Sequence, residues 1–270
     1  MCNLTITLEE LLNDENFDLS AKDMDQLLTR MLAEIGNTDS YLRDRCIYEA
    51  FVKLIDGNYL TITQETHLLE TCLNEQHLLL GLGEEGESDQ VFTRSFSALV
   101  IAYLLYKDNE QRKLDASFIE KAMEASIQYL LLEKDRRGYV PEKGWAHSVA
   151  HGSDLLANAI RHYLFDIHNM NWCLQAVQTC LLTEYAYIDE EDERLLTIIV
   201  ELIQKGLDDQ ALVSWLADLE ADYAGDGLAK YRMHWNVKKF ANTLFIYLQR
   251  HEGFHKSKQW ILGLYDRTFI

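Results

Sequence analysis

His147 and His151 stand four residues apart in GWAHSVAHGSDLL, Gly144 to Leu156, with Asp154 three residues further on. Imidazoles at i and i+4 on one helix face can share a metal ion. Asp154 can add an oxygen ligand or fix the orientation of a ring. A three-ligand set with open positions suits a divalent metal such as zinc. Without metal, the same trio can act as a histidine acid–base whose tautomer is set by a carboxylate. The preceding EKDRRGYVPEKG places Glu133, Asp135, Arg136 and Arg137 on a loop stiffened by Pro141 and closed by Gly144. Loops fixed to a rigid scaffold are common homes for function.

At about 100° per residue, with His147 at zero, His151 falls near 40°, Asp154 near −20°, Asn158 near 20°, Arg161 near −40° and His162 near 60°. Val149, Leu156, Ile160 and Leu164 point almost the opposite way. The polar stripe is therefore expected to face water or a groove. A plain solvated helix face would use similar residue types. Trp145, Gly152 and Ser153 are nevertheless poor choices for helix stability alone, and small residues admit close approach by a neighbour or a ligand.

These residues need helices to hold them. The chain has one proline in 270 residues and almost no strand signal, so long helices joined by short turns are expected. Thr7-x-x-Glu10, Ser20-x-x-Asp23, Thr61-x-x-Gln64 and Ser117-x-x-Glu120 read as helix starts. Gly36 and Gly57 read as left-handed helix stops. Basic or histidine positions at Arg45, Arg94, His147, Arg194 and Lys238 open apolar helices at spacings of 49, 53, 47 and 44 residues. Second helices, Thr63 to Leu73 and Ser117 to Leu132, fall between them. The reading is all-α: a HEAT/armadillo-like solenoid of about five helical hairpins, in a single repeat domain over residues 1–270. An irregular helical bundle is the alternative.

The formal charge of −19, from 25 Lys+Arg against 44 Asp+Glu, repels phosphate backbones and anionic lipid, so neither nucleic acid nor a membrane is an expected partner. Cys2, Cys46, Cys72, Cys173 and Cys180 include no Cys-x-x-Cys pair, which argues against a disulfide framework or a thiolate zinc site. The N-terminal residues lack a basic start followed by an apolar run, and a cytoplasmic protein is expected.

Three other features are discounted. HEGFH, His251 to His255, spells a zinc-peptidase motif, but Gly253 sits where a helix closes, which would take His255 off the face of His251. DYAGDG, Asp222 to Gly227, lacks the alternating oxygen spacing of a calcium loop and reads as a turn. The acidic loop Gly81 to Asp89 cannot cradle phosphate. Tyr185, Tyr187, Trp215, Tyr223, Tyr231 and Trp235 make the second half aromatic-rich, which suits core packing or an exposed groove.

The segments GLGEEGESDQVFTRSFSAL and LEKDRRGYVPEKGWAHSVAHGSDLL resemble a bacterial family known only as a domain of unknown function, over about Arg45 to Leu164. The resemblance implies that Asp89, Arg94, Glu133, Asp135, Arg137, Gly138, Trp145, His147, His151 and Asp154 match the family pattern, without assigning them roles. The expected function is a binding module for a peptide, protein or small ligand. His147, His151, Asp154, Glu133 and Asp135 are its chemical candidates, and Asp89, Arg94, Arg137, Trp145 and Asn158 its contact residues. A hydrolase using metal or histidine acid–base chemistry is the first alternative and a structural subunit the second.

Overall fold

A computed structural model describes residues 4–13, 23–221 and 227–268. The described chain is helical apart from one two-stranded ribbon. It forms two compact units, residues 1–165 and 166–270, where the sequence reading expects one repeat domain.

In the first unit, helices α1 (Leu4–Asn13), α2 (Met24–Ala33), α3 (Glu49–Asp56), α4 (Ile62–Cys72), α5 (Gln90–Gln111), α6 (Ala116–Leu132) and α7 (Ser148–Arg161) surround an apolar core. A π-helical segment, Tyr41–Tyr48, runs directly into α3. The centre of the unit is α5, against which α3, α4, α6 and α7 pack. Val91, Phe92, Val100, Ile101 and Leu105 on α5 are fully buried. Each such side chain taken from water contributes about 1.5–3 kcal/mol.

Helix starts follow local hydrogen bonding, with some shifts from the sequence reading. Thr61 and Gln64 form a reciprocal capping box on α4. Asp23 caps α2, accepting from the Gln26 N–H at 3.0 Å, and Ser20 lies outside the described residues. Asp115, not Ser117, caps α6 because its carboxylate accepts the Ser117 N–H at 2.9 Å. Thr7 is buried inside α1 rather than capping it.

Gly36 and Gly57 are not left-handed stops, since Gly57 has φ −73 and Gly36 has no positive φ either. Both are close-approach positions. A Cβ on Gly36 would meet Thr93 Oγ1 at 2.0 Å, and one on Gly57 would meet the Tyr59 ring at 2.2 Å.

The second unit holds α8 (Met170–Leu181), α9 (Glu191–Gln204), α10 (Asp209–Ala221), α11 (Gly227–Gln249) and α12 (His255–Thr268). Here α8 packs on α9, α9 on α11, α10 on α12 and α11 on α12. Tyr187 and Trp215 are core residues and Tyr231 and Trp235 are exposed, so the aromatics of this half divide between packing and surface. His255 opens α12 while His251 lies beyond the end of α11, so HEGFH spans a turn with Gly253 at φ 87. Of DYAGDG only Gly227, the first residue of α11, lies within the described residues.

Candidate functional site

The loop after α6 returns as a short antiparallel ribbon, β1 (Tyr139–Val140) with β2 (Gly144–Trp145), pairing Tyr139 with Trp145 and Val140 with Gly144. Gly144 has φ +78, and a Cβ there would lie 2.7 Å from the Ser40 Cβ. Glycine answers both the left-handed backbone and the close approach of the ribbon to the π-helical segment. Two residues per strand are too few for a visible alternation of apolar and polar residues, which is why the sequence reading sees only a loop.

His147 then takes a left-handed conformation, φ 46, as the residue before α7. This removes it from the helical wheel. Its ring stacks on the Trp145 indole, with centroids 4.3 Å apart and planes 2° from parallel. Trp145 in turn receives Tyr139 edge-on at 4.9 Å. Tyr139 and Trp145 remain 52% and 40% exposed.

His151 is buried and turned toward α5, not toward water or a groove. Its Nδ1 lies 2.6 Å from Ser95 Oγ and its ring meets Phe96 edge-on at 5.2 Å. Ser95 Oγ also donates to the Ala146 carbonyl. A serine has one proton to give, so Nδ1–H of His151 is the donor to Ser95. The His147 and His151 rings lie 5.5 Å apart.

The rest of the expected stripe divides. Asp154 and Asn158 are half-buried, Asn158 Nδ2 donating to the Asp154 carbonyl. Arg161 is exposed, and His162 is fully buried with Nε2 3.3 Å from Asp108 Oδ2. Among the described residues, no three His, Cys, Asp or Glu side chains are arranged to hold a metal ion. The small residues of α7 serve helix packing: a Cβ on Gly152 would meet the Tyr129 ring at 2.6 Å.

The charged candidates assemble around the loop that leads from α6 into the ribbon. Arg94 on α5 meets Glu133, the residue closing α6, through Nε–Oε2 at 2.7 Å and Nη2–Oε1 at 2.8 Å, and its Nη1 donates to the Leu80 carbonyl. Burial opposes the Arg94 charge, yet the Glu133 carboxylate outweighs it and holds the guanidinium pKa above its ordinary value. Glu133 Oε1 also accepts the Asp135 N–H at 2.9 Å.

Arg137 chelates Asp135 through Nε at 2.8 Å and Nη2 at 2.5 Å, and donates to the Ser88 carbonyl. Lys143 grips Asp89, so the acidic loop before α5 is tied to both the Arg137 loop and the ribbon turn. Ser148 Oγ donates to the Asp135 carbonyl, joining this ion-pair group to the start of α7.

Arg43 was not among the expected residues, although it completes the support. Fully buried, it donates from Nη1 to the Asn37 carbonyl and from Nη2 to the Lys143 carbonyl, and it lies over the Phe92 and Phe96 rings at 4.3 and 4.8 Å. The signal was present in the apolar register: Arg43 shares a stripe with Ile47, Phe51 and Leu54, whereas Arg45 points outward to Glu49.

These features define an all-α protein in which buried ion pairs and a buried arginine hold an aromatic ribbon at the surface. The chain belongs to the family described as "Protein of unknown function (DUF2785)", whose model matches residues 78–246. The match includes the whole ribbon motif and extends beyond Leu164, where the sequence resemblance stops. No curated protein and no solved structure matches the chain.

Proposed function

We propose that this protein is a binding module whose recognition surface is the Tyr139–Trp145 ribbon with the stacked His147, and whose partner is a protein or peptide. The observation that carries this reading is the exposure of two large aromatics on a backbone anchored from below by Arg43. Tryptophan and tyrosine dominate interface energetics, and a rigid ribbon loses little entropy on binding. The −19 charge argues against a polyanionic partner.

The hydrolase alternative now begins from the contact between Ser95 and His151. Ser95 is wholly buried and directs its proton to the Ala146 carbonyl, so we assign the pair to structure. We also read the helices as HEAT-like pairs. In the first unit α3 neighbours α5 and α5 neighbours α7 in one row, while α2 neighbours α4 and α4 neighbours α6 in another. That alternation is how stacked hairpins share a core. A reduced, cytoplasmic setting suits the buried free thiols of Cys46, Cys72, Cys173 and Cys180.

The test is affinity capture with the full chain. A partner held by the unmodified protein and by Glu120→Gln, an exposed position near the start of α6, should be lost by Trp145→Ala and partly regained with Trp145→Phe. Equal capture by all four overturns the proposal.

A further inference from the structure

His147 covers one face of the Trp145 indole, its ring 2° from parallel at 4.3 Å. Tyr139 stands at 74° to the same indole with ring centroids 4.9 Å apart. Whichever ring turns its edge to the other, the tyrosine ring and the indole face away from His147 form two walls of a corner. Tyr139 and Trp145, 52% and 40% exposed, leave this corner open to solvent. A cation seated in it can lie within about 6 Å of both rings, the reach of a cation–π contact.

The segments that frame the corner are acidic. Residues 81–89 and 139–145 together hold Glu84, Glu85, Glu87, Asp89 and Glu142 against the single cation Lys143. All five acidic residues are exposed. The first segment is tied to both sides of the ribbon. Arg137, two residues before Tyr139, donates to the Ser88 carbonyl at 2.9 Å and lies 3.6 Å from Glu87 Oε2. Lys143, two residues before Trp145, pairs with Asp89 at 2.7 Å. Lys134 lies 3.5 Å from Glu85. Three cations thus hold the acidic loop at the ribbon's edge, and Glu84 and Glu142 make the set net negative.

We propose that this corner takes an exposed arginine side chain of the partner protein, an assignment that rests on the ribbon being the recognition surface. A guanidinium lies flat on an aromatic wall while its edge donors reach carboxylates. Lysine, a compact and more strongly hydrated charge, matches that combination less well. The same carboxylates repel an acidic or phosphate-bearing segment. An uncharged aromatic or aliphatic side chain would use the rings and gain nothing from the carboxylates.

The experiment is an NMR titration of the isotope-labelled full chain with a capped heptapeptide of glycine and serine carrying two arginines. The Trp145 indole N–H signal, assigned by its loss in Trp145→Phe, should move. Citrulline in place of arginine, uncharged but of the same shape, should abolish the shift, and lysine should bind about twofold to fivefold more weakly. Tyr139→Ala should weaken the arginine peptide about twofold to fivefold. Glu87→Gln/Glu142→Gln should do the same and flatten the salt dependence. The charge-matched pair Glu120→Gln/Glu124→Gln, exposed on α6, should leave the titration unchanged. An unmoved indole signal at about 10 mM peptide, equal binding of the citrulline or lysine peptide, or the same shift with tetramethylammonium at equal concentration would each overturn the arginine assignment. Affinity capture separates this assignment from the ribbon reading. A partner lost by Trp145→Ala, yet held unchanged by Glu87→Gln/Glu142→Gln and not displaced by the arginine peptide, leaves the ribbon as a recognition surface and refutes its preference for arginine. Equal capture by Trp145→Ala refutes both.

Discussion

The guanidinium of Arg94 and the carboxylate of Glu133 meet edge to edge through two hydrogen bonds of 2.7 and 2.8 Å, with the two side chains 4% and 1% exposed. Removing one partner leaves a buried charge uncompensated. Arg94→Met or Glu133→Gln should each cost about 3–5 kcal/mol in urea denaturation. The double variant Arg94→Met/Glu133→Leu should recover much of that loss, leaving about 1–2 kcal/mol for the Asp135 N–H that Glu133 also accepts. Additive losses in the double variant would contradict this account.

Ser95 and His151 share one proton pathway, from His151 Nδ1–H to Ser95 Oγ and from Ser95 to the Ala146 carbonyl. Nitrogen-15 shifts of the imidazole should therefore report a proton on Nδ1. Ser95→Ala strands both neighbours and should destabilise the protein by about 1–3 kcal/mol.

Gly152 gives a sharper test of helix packing. In an open helix, glycine to alanine would gain about 1 kcal/mol. Here the new methyl meets the Tyr129 and Leu130 side chains at 2.6 and 2.7 Å, so Gly152→Ala should instead lose about 1–3 kcal/mol. A higher melting temperature for this variant would refute the close approach of α6 and α7.

Trp145 separates recognition from stability. The residue is 40% exposed, so Trp145→Ala should cost no more than about 2–3 kcal/mol while abolishing partner capture. Arg43→Met should do the reverse to the scaffold, loosening the ribbon and costing about 3 kcal/mol or more.

Glu191, at 1% exposure, accepts the Asp189 N–H through Oε2. Burial pushes its carboxyl pKa above the ordinary glutamate value, and backbone N–H groups only partly offset this. Such an acid binds its proton more tightly folded than unfolded. Its stabilising contribution is complete below the unfolded pKa and declines as pH rises through the raised folded one. Glu191→Gln should flatten the stability profile above the ordinary glutamate range. An unchanged slope would show that another group titrates there.

Much of the architecture is legible locally. The Thr61–Gln64 capping box and the apolar periods of α4 and α6 depend on contacts within one or two turns, which the order of residues dictates directly. The motif around Glu133 to Asp154 was likewise visible as an unusual concentration of charge, glycine and aromatic residues.

What that motif does spatially was decided elsewhere in the chain. A helical wheel assumes one buried side, but α7 is covered by α5 on one side and α6 on another, so His151 is buried despite lying on the polar stripe. His147 left the wheel altogether through its positive φ. Arg43 and Arg45 are two residues apart and chemically identical, yet one is the buried anchor of the ribbon and the other is solvated. The sequence determined the helices, the capping box of α4 and the location of the charged cluster, because those follow from near-neighbour chemistry. Only the tertiary structure decided which polar groups became internal braces and which aromatics stayed outside, because burial depends on side chains brought together from α5, α6 and the π-helical segment up to about a hundred residues away.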